Sequence, residues 1–332
     1  MIKLLTLSIA LVLAQNIFAQ CSEEEIAKLP FDCAQYTKTS KFYGKNEIKA
    51  NTELFYPKLL TISKMLTDAF KNTKGMYAQW EAQVNDLNKE GNYTGWVKFY
   101  MQPVECKTDG GFNKKTGNST LDFTIYINSF HPRLILDTDK ESFGYATKNK
   151  NDYVDGHLIY LIAEKQWDEP FKGFPMYYKD WNNQSQNAVL ITKPEIPLFK
   201  PISIAQFLEL LRKWTNEYNA GKKEDKYLIT GNQIDKFISS NSKEYLAQPC
   251  ITNWDRSEQI VYIKKSTYLS DPTMGNPWVF INPDYSKDSN STALQYVMIT
   301  WNGGNTDALT KQALKDFKTN FDFKKLQSML EK

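Results

Sequence analysis

Several tryptophans stand directly beside carboxylates in this sequence of 332 residues. Glycoside hydrolysis uses two carboxylates, and flat aromatic rings can carry a sugar next to them. With 8 Trp and 38 acidic residues in the chain, such neighbours also arise by chance. A glycan-directed hydrolase is therefore kept as the alternative function. Its catalytic candidates are Asp168, Glu169, Asp180 and Asp255, and its ligand-binding candidates are Trp167, Trp181 and Trp254.

Other catalytic and cofactor motifs are missing from the sequence. The two histidines, His131 and His157, are isolated from each other, and lone histidines more often serve as structural hydrogen bonders. The serine-hydrolase elbow, the zinc motif H-E-x-x-H and the glycine-rich phosphate loops are all absent. Residues 284–295 alternate oxygen-bearing side chains, but Ser289 and Gln295 replace the Gly and Glu of a calcium loop. We expect no metal and no cofactor, and the motifs argue against an enzyme.

The N-terminus has the layout of a secretory signal peptide. Lys3 precedes an apolar run over residues 4–14, and the small residue Ala19 offers a cleavage point, with Ala14 as the alternative. The run is shorter than the roughly 20 apolar residues of a spanning helix. We expect residues 1–19 to be removed, which leaves an exported protein, periplasmic or extracellular, without a transmembrane anchor. The bulky Gln20 ahead of Cys21 argues against a lipid anchor there.

Export to an oxidising compartment permits disulfides among the four cysteines. These are Cys21, Cys33, Cys106 and Cys250. Spacing alone cannot choose between the three possible pairings. We favour Cys21–Cys33 as a local bridge and Cys106–Cys250 as a long-range one, with four buried thiols as the alternative.

Composition restricts the partners. There are 41 Lys and Arg against 38 Asp and Glu, a net charge of +3, and only three arginines, so we expect no nucleic-acid partner. Aromatic residues make up 14% of the chain, enough for a strand-rich core or for a face that binds a protein or a glycan. Four glycosylation motifs fall in predicted loops or turns, at Asn92, Asn118, Asn183 and Asn290.

Hydrophobic periodicity predicts an α+β protein, with antiparallel hairpins packed on blocks of helices. Helices are predicted after caps at Ser22 and Ser203, from Pro57 to Phe70, from Met76 to Leu87, and in short stretches around 234–237, 244–246, 307–317 and 323–330. Strands are predicted at 97–101, 121–128, 157–164, on both sides of a turn at 182–186, and at 259–265, 276–283 and 293–301. The proline-rich residues 193–202 predict a connector between an N-terminal region (20–192) and a C-terminal region (203–332), possible subdomains.

Overall fold

A computed structural model of the chain confirms the α+β class. It describes residues 22–35, 49–88, 90–107, 112–113, 120–130, 135–137, 153–155, 157–162, 165–166, 170–181, 184–219, 231–252, 276–285, 291–302 and 307–331. The signal peptide predicted over 1–19 and the strand predicted over 259–265 lie outside these residues. Among the residues described, none of the helices combines the length and apolar character needed to cross a bilayer.

The described helices are α1 (Glu23–Ile26), α2 (Lys49–Ala69), α3 (Ile204–Asn219), α4 (Gly231–Ser240), α5 (Lys243–Leu246), α6 (Ala308–Asn320) and α7 (Phe323–Ser328). The described strands are β1 (Asp32–Gln35), β2 (Met76–Leu87), β3 (Tyr93–Pro103), β4 (Glu105–Cys106), β5 (Phe112–Asn113), β6 (Leu121–Ile127), β7 (Ile135–Asp137), β8 (Tyr153–Val154), β9 (His157–Ile162), β10 (Lys165–Gln166), β11 (Met176–Trp181), β12 (Gln184–Ile191), β13 (Phe199–Pro201), β14 (Ile251–Thr252), β15 (Asn276–Ile281) and β16 (Val297–Asn302).

The chain forms two compact units, each assembled from separate segments. Unit 1 comprises Met1–Ser129, Asp180–Ile191 and Asn290–Glu331, and unit 2 comprises Phe130–Lys179, Thr192–Ser289 and Lys332. This division differs from the two consecutive regions predicted from the sequence. One boundary between the two units, between Ile191 and Thr192, lies beside the predicted connector. The C-terminal strand β16 nevertheless belongs to unit 1, because it pairs with β6.

Unit 1 is built on a sheet with the strand order β1-β2-β3-β6-β16-β12. Strand β1 runs parallel to β2, and the remaining neighbours in this order are antiparallel. Helices α2 and α6 contact β2 and β3, and α7 contacts β12. Fully buried rings meet between helices and sheet, with the Phe123 and Phe317 centroids 4.6 Å apart and Phe70 stacked on Phe99 at 5.6 Å.

Unit 2 contains a second sheet, with the strand order β13-β15-β9-β7. Strand β9 lies inside it, as its uninterrupted apolar sequence predicts. Helix α3 contacts α4 and α5, and its Phe207 packs on the buried Trp278 of β15 with ring centroids 4.8 Å apart. Residues of the predicted connector belong to this unit, because β13 pairs with β15 and the buried Lys193 donates two hydrogen bonds to Tyr285.

The helix predicted over Met76–Leu87 is wrong, because these residues form strand β2. Its apolar residues Met76, Trp80 and Val84 recur every four positions, a spacing that fits one side of a helix or every second inward position of a strand. Ala78 and Ala82 fill the inward positions between them and are buried. Alanine is a weak strand former, so these two residues do not reveal the period of two in the sequence.

The predicted helix caps are confirmed. Ser203 and Gln206 exchange hydrogen bonds of 2.8 and 3.2 Å at the start of α3, and Ser22 and Glu25 do the same at α1. Asp307 caps α6 through the Thr310 N–H at 2.7 Å. These exchanges satisfy backbone donors that have no partner inside the helix.

Candidate functional site

One face of the unit 1 sheet collects aromatic, charged and amide side chains in a regular array. The array takes three alternate residues from each of the strands β2, β3 and β6, and the register of these strands aligns the residues in three rows. The rows are Gln83–Trp96–Tyr126, Glu81–Lys98–Thr124 and Gln79–Tyr100–Asp122, and we call this array the polar sheet face. All of its side chains are half-buried.

The opposite face of the same strands fixes which side chains join the array. Successive side chains of a strand point to opposite faces of the sheet. The alternate residues Val97, Phe99, Phe123 and Ile125 are fully buried under the helices of unit 1. Burial of these residues therefore holds the polar set on the other side, and a register slip of one residue would exchange the two.

Contacts within the polar sheet face order its side chains. The Tyr100 hydroxyl donates to Glu81 Oε1 at 2.9 Å, which links β3 to β2. The Lys98 ammonium lies 4.6 Å from the centroid of the Trp96 ring, a cation–π distance. Asp122 donates its backbone N–H to Asn302 Oδ1 at 2.7 Å. Burial raises the pKa of Tyr126 above its ordinary value, and a hydrogen bond with the Thr124 side chain opposes the rise. Tyr126 therefore stays a neutral phenol at physiological pH.

The carboxylates and tryptophans singled out from the sequence are not part of this array. Trp167, Asp168, Glu169, Trp254 and Asp255 lie outside the described residues. Asp180 and Trp181 end strand β11, and their side chains also lie outside the description. The carboxylate pair of the hydrolase hypothesis stays a prediction.

The histidines and the predicted loop offer no assembled centre in the described part of the chain. His157 is stacked on Phe280, with centroids 5.3 Å apart and an interplanar angle of 10°, and His131 lies outside the description. Asp284, the first residue of the 284–295 segment, pairs with Lys200 at 3.0 Å. Among the described residues, no three His, Cys, Asp or Glu side chains gather as a metal site would require.

The cysteines are arranged differently from both predicted pairings. Cys33 and Cys250 are free thiols, so the Cys21–Cys33 and Cys106–Cys250 bridges are absent from the structure. Cys33 lies in unit 1 and Cys250 lies in unit 2. Cys106 is disulfide-bonded, and Cys21 lies outside the described residues. Burial raises the pKa of both free thiols, that of Cys33 to about 11.

The glycosylation motif at Asn92 is inaccessible in the folded protein. The Asn92 residue is 2% exposed, and its amide donates to the Glu90 carbonyl at 3.4 Å. A glycan attached to this nitrogen would have no room. The other three motif asparagines, Asn118, Asn183 and Asn290, lie outside the described residues.

Sequence reasoning found two of the three strands of the polar sheet face but did not find the face. Alternation in β3 and β6 was correctly predicted. Gln79, Glu81 and Gln83 were assigned to the mistaken helix, so their alignment with Trp96, Lys98 and Tyr100 could not be deduced.

The chain was compared with family models, with curated proteins and with solved structures, and none of the three comparisons gave a match. The functional argument therefore depends on the residues of the chain.

Proposed function

We propose that this chain is an exported, non-catalytic binding protein and that the polar sheet face is its binding surface. The observation that supports the proposal is the composition of the array: three half-buried rings, Trp96, Tyr100 and Tyr126, interleaved with charged and amide groups. Tyr and Trp give large rigid contact areas at low entropic cost, and polar neighbours give orientation. Export is inferred from the predicted signal peptide.

Binding without chemistry fits the contacts of the array. Catalytic carboxylates work as a pair on either side of the bond they cleave. The carboxylate of Glu81 accepts a hydrogen bond from Tyr100, and Asp122 lies across β3 from it, beside Tyr100 rather than facing Glu81 directly. An aligned array of this kind suits recognition of a surface or an extended ligand.

The test measures binding and turnover on the same preparation. Glycans and peptides are presented to the purified mature protein, and release of products is followed beside binding. We expect binding that Trp96→Ala weakens, no product, and no effect of the double change Asp168→Asn and Glu169→Gln. Product formation that this double change abolishes would replace the proposal with the hydrolase.

A further inference from the structure

Helix α6 carries a row of lysines on the side that faces away from the core of unit 1. Lys311, Lys315 and Lys318 are spaced by four and three residues, so they share one stripe of the helix surface, about 10 Å long. Lys311 and Lys315 are exposed, and Lys318 is half-buried. The buried residues of the helix, on its other side, are Thr310, Ala313 and Phe317.

The turn after α2 places two more lysines beside this row. Helix α2 contacts α6, and the hydroxyl of the buried Thr73 donates to Asp316 Oδ2 at 2.7 Å. Lys71 and Lys74 stand on either side of Thr73 in the chain, and both are exposed. The positive charges therefore come from two adjoining segments. We call these five side chains the lysine face: Lys71, Lys74, Lys311, Lys315 and Lys318.

Few negative charges balance the lysine face. Residues 71–74 and 311–318 contain its five lysines and a single carboxylate, that of Asp316. Both oxygens of this carboxylate accept hydrogen bonds at 2.7 Å, one from Thr73 and one from the Gln312 amide. The ion pairs formed between described residues include no member of the lysine face. This surface of unit 1 therefore carries an excess of positive charge.

The stability of α6 does not account for its lysines. Lys311 lies near the N-terminal end of the helix, where the helix dipole disfavours a cation. Like charges three or four residues apart in a helix repel each other, and Lys315 stands at such a distance from both Lys311 and Lys318. Negative charge supplied from outside the chain would relieve this repulsion.

The chemistry of the lysine face distinguishes between anionic partners. Arginine supplies the planar fork that holds a single phosphate or carboxylate, and residues 71–74 and 311–318 contain no arginine. Protein interfaces are anchored by buried aromatic residues and are depleted in lysine. The large apolar side chains that are exposed among the described residues lie outside both segments, at Leu54, Leu60 and Leu87. An acidic protein surface is therefore a poor match.

A lipid surface matches both the kind of charge and its arrangement. Anionic head groups attract lysines through the hydration layer, without a groove and without a buried anchor. A linear polyanion needs one row of charges, whereas the Thr73–Asp316 hydrogen bond sets a second group of lysines beside the row on α6. The lysine face is thus spread in two dimensions, as the charge of a bilayer surface is.

We infer that the lysine face binds the anionic head groups of a bilayer surface by electrostatic attraction, without inserting apolar side chains. Helix α6 packs on the apolar side of the unit 1 sheet, where the ring centroids of Phe317 and Phe123 lie 4.6 Å apart. The lysine face and the polar sheet face are therefore on opposite sides of this sheet. A bilayer bound by the first leaves the second uncovered, and the inference does not depend on the binding function proposed above.

Co-sedimentation of the purified mature protein with phosphatidylcholine vesicles, with and without phosphatidylglycerol, tests the inference. We expect binding only when phosphatidylglycerol is present, and release in about 1 M salt, where the screening length falls to about 3 Å. The double change Lys311→Gln and Lys315→Gln should weaken binding roughly thirtyfold, from about fivefold for each lysine near an anionic surface. Glutamine and lysine are similar helix formers, so α6 should stay folded in this variant.

The matched control removes the same charge from unit 2. Lys236 and Lys243 are exposed on α4 and α5, and the double change Lys236→Gln and Lys243→Gln should leave vesicle binding unchanged. Equal losses in the two double variants would show that net charge, rather than the lysine face, attracts the vesicles.

Three other results would also overturn the inference. They are no binding to either vesicle, equal binding to both, and tighter binding to soluble polyglutamate than to phosphatidylglycerol vesicles of the same total charge. Each of them leaves the function of the polar sheet face standing, because that function is tested by Trp96→Ala, on the other side of the sheet. Vesicle binding should be the same in Trp96→Ala as in the parent protein.

Discussion

At the scale of single residues, the buried side chain of Asn128 is held by hydrogen bonds to three residues of unit 1. It is 1% exposed and has a φ of 52°, in the left-handed region. Its amide donates to the carbonyls of Tyr93 and Ala293 at 2.9 and 2.8 Å, and its carbonyl accepts from Gln295 N–H at 2.7 Å. This one side chain joins the ends of β3 and β6 to the segment before β16.

Replacing Asn128 by alanine should lower the free energy of unfolding by roughly 3–5 kcal/mol, because buried backbone groups lose their partners and alanine is strained at positive φ. Urea unfolding measures this loss. Asn85→Ala, at a half-buried amide that accepts from Gln83, is the control and should cost less than about 1 kcal/mol. Equal losses in the two variants would show that the Asn128 network is unimportant.

The Cys33 thiol should make stability fall at alkaline pH. Burial, followed by the charge of Asp32, raises its pKa from 9.0 to about 11, against an opposing hydrogen bond with Thr67. A raised folded-state pKa gives stabilisation that is complete below about pH 9 and is lost as pH rises towards 11, with a slope of up to about 1.4 kcal/mol per unit. Urea midpoints measured across this range should fall less steeply in Cys33→Ala than in the parent protein. Parallel slopes in both proteins would contradict this assignment.

At the scale of elements, the turn before β2 depends on Gly75. Its φ is 67°, its N–H donates to Leu29 O, and an added Cβ would lie 2.9 Å from Ile26 O. Gly91 has a similar φ of 80°, but an added Cβ there has no described atom within 4 Å. Thermal unfolding of the two alanine variants should show that Gly75→Ala costs about 2 kcal/mol more than Gly91→Ala. Similar losses would mean that backbone strain alone matters at Gly75.

Element type could be predicted from the sequence where one period dominated. β6 alternates apolar and polar residues without exception, and α3 begins at a reciprocal Ser203–Gln206 cap. β2 could not be predicted correctly, because its large apolar residues recur every four positions and only small alanines mark the period of two. Because the polar sheet face includes residues of β2, the candidate site could not be predicted from the sequence either.

At the scale of the whole molecule, the pairing of the strands could not be predicted from the sequence. Strand β16 pairs with β6 on one side and with β12 on the other, although these strands are far apart in the chain. Each of them is a recognisable apolar strand, but apolar patterning does not specify which strand lies beside which. The interleaved units follow from these pairings and could not be deduced from composition shifts.

The oxidation state of the mature protein is a second whole-molecule prediction. Cys33 and Cys250 are free and Cys106 is bonded, so Cys21, as the remaining cysteine of the chain, is the expected partner. Intact mass after denaturation and alkylation should show a chain beginning at Gln20, with two alkyl groups before reduction and four after. Four alkyl groups before reduction, or a chain beginning at Met1, would contradict the bridge or the export, respectively.

The most direct test of the account is the NMR spectrum of the tryptophan indole N–H groups during titration with the glycans and peptides that the protein binds. The Trp96 indole, assigned by its loss in Trp96→Phe, should shift with saturable concentration dependence, while that of the buried Trp301 on the opposite face stays in place. Shifts confined to other tryptophans, with Trp96 unmoved, would contradict a binding site on the polar sheet face.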